Sequence, residues 1–109
     1  MTVQPLSAPA LADWLADDAR VRPLLLDVRE PWEFATCRLD DSLSMPLGDV
    51  MKRYGEIDTD RPIVCICHHG ARSMQVAAFL AANGAAEVHN LTGGVAAWAH
   101  QVDAGFPTY

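Results

Sequence analysis

The segment Pro62-Ile63-Val64-Cys65-Ile66-Cys67 constrains the fold more than any other stretch of this chain. It is uncharged, rich in β-branched residues and too short for a buried helix, so it reads as a strand covered on both faces. Such a strand belongs in the middle of a parallel sheet with helices packed on either side. The flanking patterns agree. Ser7, followed by Pro9 and by Leu11, Trp14 and Leu15, predicts a capped amphipathic helix from about Ala8 to Ala16. Leu24 to Asp27 predicts a strand, Pro31 opens a short helix carrying Trp32 to Ala35, Ser42 to Met45 suits a brief strand, and Gly48 to Tyr54 a further helix. Beyond the central run, Val76, Phe79 and Leu80 share one face of a helix expected from Arg72 to Asn83, with Gly84 placed for a left-handed cap. Glu87 to Leu91 then reads as a strand, Gly93-Gly94 as a turn and Val95 to Val102 as the last helix. Strands alternating with helices predict an α/β fold, and no repeat or linker divides it, so residues 1–109 are expected to form one domain.

Charge excludes one class of partner. The chain has 8 basic and 14 acidic residues, a formal charge of −6, and no run of Lys or Arg, so it offers no electrostatic footprint for a nucleic acid. The first charged side chain is Asp13, which leaves no basic region for an export signal, and no apolar run approaches the ~18 residues of a membrane span. A cytoplasmic, membrane-free protein is expected. Its three cysteines, Cys37, Cys65 and Cys67, then read as reduced thiols rather than a disulfide framework.

One of these thiols sits where chemistry is favoured. In Cys67-His68-His69-Gly70-Ala71-Arg72-Ser73 the cysteine ends the buried strand, and a helix is expected to begin about five residues later. A tight loop entering a helix turns unpaired N–H groups, and the positive end of the helix dipole, into one concavity that favours an anion. A thiolate is such an anion. The expected pKa of Cys67 therefore falls below the free value of about 8.5, which makes Cys67 a nucleophile at neutral pH. Gly70 supplies a positive φ, Arg72 a permanent cation able to fork onto an oxyanion, and Ser73 a helix cap or a donor to sulfur. His68 and His69 are expected to add partial positive charge at the rim.

This loop resembles the active-site loop of rhodanese-type sulfurtransferases. The likeness extends to Leu26-Asp27-Val28-Arg29-Glu30 with Glu33-Phe34, to Leu91-Thr92-Gly93-Gly94-Val95 with Trp98, and to the tail Gly105-Phe106-Pro107-Thr108-Tyr109. The resemblance implies a rhodanese fold with a central parallel sheet of about five strands and helices on both faces. It implies that Cys67 takes a sulfane sulfur from a small anionic donor such as thiosulfate and passes it, through a persulfide, to cyanide or a thiol, including a protein thiol. It implies that Asp27 and Arg29 support the fold around the loop. No metal or organic cofactor is called for. One segment departs from the pattern: where members of the family commonly carry Gly-His-Ile-x-Gly-Ala, this chain has Cys37-Arg38-Leu39-Asp40-Asp41-Ser42, with Arg38 for the His and Asp41 for the second Gly. The local turn is the feature put in question.

Related cysteine phosphatases place five residues between nucleophile and arginine, whereas four separate Cys67 from Arg72, a ring better matched to a persulfide sulfur than to a phosphate. A phosphatase or arsenate-reductase-like enzyme is the alternative enzyme, and a sulfur-relay or partner-binding module with little small-molecule turnover the alternative outside small-molecule catalysis. Cys65, Cys67, His68 and His69 lack the spacing of a zinc site, so no metal is expected. Cys65 and Cys37 read as structural, Asp27 as the holder of Arg29, and His89 and His100 as surface or satisfied histidines. Trp14, Trp32 and Trp98 are assigned to packing, with the pocket rim as the alternative for Trp32.

Overall fold

The computed structural model describes residues 2–109. A five-stranded, wholly parallel sheet lies between two helical layers, with strand order β1-β5-β4-β2-β3. In chain order the elements are β1 (Val3–Leu6), α1 (Ala8–Ala16), β2 (Leu24–Asp27), α2 (Pro31–Thr36), β3 (Leu43–Ser44), α3 (Leu47–Arg53), β4 (Pro62–Ile66), α4 (Ala71–Ala82), β5 (Glu87–Leu91) and α5 (Gly94–Gln101). A single 3₁₀ turn, Tyr54–Glu56, follows α3.

The central run is the middle strand, as its composition requires. Alternation along β4 sends Ile63, Cys65 and then Cys67 to one face, with Leu26, Val50, Val76 and Leu80, and Val64 and Ile66 to the other, with Leu11, Trp14, Leu25 and Val95. Both faces of β4 are therefore dry. Ser7 Oγ accepts from Ala10 N–H at 3.2 Å and caps α1, and Gly84 takes φ +98° just beyond α4.

The structure corrects several boundaries. β1 was not among the expected strands: its four residues are partly exposed and include Pro5, which breaks the pattern but is tolerated at a sheet edge. β3, on the opposite edge, is two residues rather than four. β4 ends at Ile66, one residue short of Cys67, and α4 begins at Ala71, so the loop between them is four residues and the first turn of α4 completes the ring. The departing segment turns at Asp40 and Asp41, where Asp41 stands in the left-handed region at φ +62°, a conformation Asp tolerates better than most side chains.

Among the described residues, no helix is long and apolar enough to cross a membrane.

Candidate active site

The carboxyl ends of β2, β4 and β5 meet where Cys67 leaves the sheet, the usual place for a site in a parallel α/β fold. Cys67 is only 1% exposed, so its sulfur stands nearly enclosed. Gly70, at φ +106°, turns the chain so that its N–H donates to Cys67 Sγ at 3.0 Å. The N–H groups of Ala71, Arg72 and Ser73 open α4 and have no carbonyl one turn earlier to bind; Met74 N–H is the first to reach back, to Gly70 O at 3.2 Å. Gly70 has the positive φ expected of it. Of the loop's N–H groups, that of Gly70 bonds the sulfur itself.

Ser73 does not cap the helix. It lies inside α4, with Oγ 3.2 Å from Cys67 Sγ and hydrogen-bonded to Asn90 Oδ1. One hydroxyl carries one proton, so Ser73 donates to sulfur or to Asn90 and not to both at once. Asn90 Nδ2 in turn donates to Gly70 O at 3.1 Å. A single buried amide on β5 thus holds both residues that touch the thiol.

The second support is the start of α5. Val95 N–H donates to Cys67 O at 2.9 Å and Ala96 N–H to His68 O at 3.1 Å. Gly93 and Gly94, at φ +77° and +60°, form the expected strand-to-helix turn, and a Cβ at Gly94 would collide with the carbonyls of Cys67 and His68. In a trans peptide the N–H points away from its carbonyl, so α5 fixes which way the loop peptides face.

Arg72 is not the open cation expected at an exposed loop. Its guanidinium forks onto Glu33, with Nη1 2.6 Å from Oε1 and Nη2 2.9 Å from Oε2. Glu33 is buried, and it also accepts from Tyr109 Oη at 2.7 Å and from Glu30 N–H at 3.0 Å. The Arg72 pairing, partly opposed by burial, holds the Glu33 carboxyl well down, at about 2. Asp27 and Arg29 form a second, wholly buried pair: Arg29 Nη2 is 2.7 Å and Nε 2.9 Å from the Asp27 carboxylate, and Arg29 also reaches the carbonyls of Glu33 and Cys37. Tyr109 Oη accepts from Arg29 Nη1 at 3.0 Å while it donates to Glu33, so one hydroxyl bridges both ion pairs. Burial, the largest cause, raises the Tyr109 hydroxyl to about 12.

His68 is disfavoured as the partial positive charge expected at the rim. Its ring stacks on His69 at 3.9 Å and on Tyr109 at 4.2 Å, and burial followed by its neighbour His69 pushes the pKa of His68 down. A cleft of about 250 Å³ lies beside them, lined by Val95, Ala96 and the tail among others. Trp32 is 62% exposed and meets Tyr109 edge-on at 5.4 Å, which puts it at the rim rather than in the core. His89 is neither on the surface nor satisfied: it is buried against Trp14, Nε2 lies 2.6 Å from Glu87, and Nδ1 has no partner. Cys37 and Cys65 are buried, and burial, with the Cys67 sulfur adding to it, pushes the Cys65 thiol up to about 12. Among the described residues, no three His, Cys, Asp or Glu side chains gather closely enough to hold a metal ion.

Three participants carried no role in the sequence reading: Glu33, Asn90 and Tyr109. Glu33 was visible as the third residue of a helix opening at Pro31, the place of a capping-box acid, but nothing local says that its carboxylate meets a guanidinium 39 residues away.

Comparison with known proteins agrees with this geometry. The rhodanese-like domain family matches residues 7–101. A sulfurtransferase of Allochromatium vinosum is 40% identical over 97 residues, covering 89% of each chain. A thiosulfate sulfurtransferase of Pseudomonas syringae is 33% identical over 69% of this chain and 71% of its own. The crystal structure of a rhodanese-like domain protein from Staphylococcus aureus superposes with a TM-score of 0.83 at 22% identity, covering 98% and 99% of the two chains, which speaks to the fold. With that family match over most of its length and a relative 40% identical across 89% of both chains, the chain belongs to the rhodanese-like domain family.

Proposed function

We propose that this protein transfers sulfane sulfur through a covalent persulfide on Cys67. Sulfurtransferase relatives along most of the chain support sulfur transfer as the general activity, and the local geometry supports Cys67 as its centre. The observation that carries the reading is the Cys67 sulfur held at 3.0 Å by the Gly70 N–H, beneath the unpaired N–H groups that open α4. Cys67 as thiolate attacks the outer sulfur of the donor, the bond between the donor's two sulfurs breaks, and the leaving group departs with the electron pair. The transferred sulfur then lies at the start of α4, where Ala71, Arg72 and Ser73 present backbone donors to developing negative charge. A thiol or cyanide acceptor attacks that sulfur and returns Cys67 to the thiolate. An end-on approach to a nearly enclosed sulfur suits a donor whose terminal atom is a single sulfur. No metal or organic cofactor takes part in these steps.

Incubation with a sulfane-sulfur donor, supplied as thiosulfate or as glutathione persulfide, followed by intact-mass measurement, tests the reading. The expected result is one added sulfur, removed by cyanide and absent from Cys67→Ser. A wild-type mass unchanged by both donors, or aryl phosphate hydrolysis that depends on Cys67 and outpaces sulfur transfer, refutes it.

A further inference from the structure

Two guanidinium groups stand near the site, Arg72 partly buried and Arg29 fully buried, and each is forked onto a carboxylate of this chain: Arg72 onto Glu33 and Arg29 onto Asp27. The charges of these four residues sum to zero. Tyr109 ties the pairs together through one hydroxyl, and Glu33 is saturated by four donors, from Glu30, from both arms of Arg72 and from Tyr109. An anionic ligand that recruited Arg72 would have to break a bidentate, partly buried ion pair and leave Glu33 as a buried charge without its partner.

This separates two donor classes. Transfer from thiosulfate expels sulfite, a leaving group with two negative charges that needs a free cation to receive it. Transfer from an organic persulfide, R–S–SH, expels a thiolate with one charge, which the backbone donors of α4 can meet. The rim differs in the same direction. Trp32, Tyr109 and His68 offer aromatic surface to an organic R group, and thiosulfate has no part that could use it.

Resting on the sulfur-transfer reading, we propose that the donor this site takes is an organic persulfide rather than thiosulfate, and that Glu33 is the specificity residue that sets the choice by neutralising Arg72. The step balances as R–S–SH plus the Cys67 thiolate giving Cys67–S–SH plus RS⁻. The Cys67 S–S bond forms, the donor S–S bond breaks, the proton stays on the outer sulfur, and no other reactant is needed. The thiosulfate named for the Pseudomonas syringae relative belongs to that protein; in this chain the cation that would receive sulfite is already paired.

The experiment compares kcat/KM for loading Cys67 from glutathione persulfide, from a persulfidated cysteine peptide and from thiosulfate, at one pH and ionic strength, in wild type and Glu33→Gln. Wild type is expected to prefer the better persulfide by at least about tenfold, the order of one charge-assisted hydrogen bond, and the faster of the two persulfides identifies whether a small thiol or a protein supplies the sulfur. Glu33→Gln, which keeps the shape and removes the charge, is expected to raise kcat/KM for thiosulfate relative to that for the persulfides by about tenfold, chiefly through a lower KM for thiosulfate. A merely structural Glu33 would lower both donors together, and that result overturns its role in specificity. Wild type using thiosulfate as well as or better than both persulfides overturns the donor assignment, and this arm stands even if Glu33→Gln fails to fold. Loading from no donor overturns the sulfur-transfer reading itself, and the donor assignment with it.

Discussion

Replacing Gly94 by Ala is the most direct perturbation of the support beneath Cys67. Two costs add. An L side chain at φ +60° costs about 1 to 2 kcal/mol, and a Cβ driven against the carbonyls of Cys67 and His68 forces backbone shifts costing about 1 to 3 kcal/mol. The sum, about 2 to 5 kcal/mol, is a large part of the roughly 5 to 15 kcal/mol that holds a domain together. At about 4 to 8 °C per kcal/mol for a small domain, Tm should fall by at least about 8 °C. Two other glycines separate the causes. Gly84 also has a positive φ, +98°, but its Cβ would meet nothing within 4 Å, so Gly84→Ala should lose only about 1 to 2 kcal/mol. Gly48 lies inside α3 with open space around it, so Gly48→Ala should gain about 0.5 to 1 kcal/mol. Urea unfolding of the three variants gives the stabilities, and the rate of sulfur loading reports the loop. Loading should drop by about a hundredfold in Gly94→Ala, the effect of moving reacting groups by an ångström, and stay near wild type in the other two. If Gly94→Ala is no less stable than Gly84→Ala, or loads sulfur at the wild-type rate, the argument that α5 orients the loop is wrong.

Other outcomes follow from the same contacts. Asn90→Ala strips the partners from Gly70 O and the Ser73 hydroxyl, and urea unfolding should show a loss of about 1 to 3 kcal/mol accompanied by slower sulfur loading. Because the Glu33 carboxyl is held at about 2, below its unfolded value of 4.5, its pairing stabilises the fold above pH 4.5 and is lost as pH falls from there towards 2. Urea midpoints for wild type and Glu33→Gln should accordingly draw together across that interval; a constant gap would show that the charge of Glu33 adds nothing. Asp41→Gly should gain about 0.5 kcal/mol in urea, since glycine relieves the left-handed strain at φ +62° more than it loosens the unfolded chain.

The layered architecture was legible because its signals are local. Nearly every residue from Pro62 to Cys67 is apolar, which needs two covered faces, and the periodic residues of α1 and α4 needed one apolar side each. β1 escaped because an exposed edge strand of four residues with an internal proline has neither a full alternation nor a full apolar run. Cys67 and Gly70 were legible for the same reason as the strand: their roles follow from a strand-to-helix turn that a few consecutive residues encode.

The sequence by itself determined that a thiol would stand at the end of a central strand, facing the start of a helix, since that outcome depends on composition over a dozen consecutive positions. Only the tertiary structure decided how the site is charged and braced. Arg72 reads as a free cation until β2 and α2 bring Glu33 to it, Tyr109 joins both ion pairs from the far end of the chain, and Asn90 reaches the loop from β5. Charge pairing acts through space over a few ångströms, and neighbours at that range are set by the order in which strands are laid in the sheet, which no local pattern records.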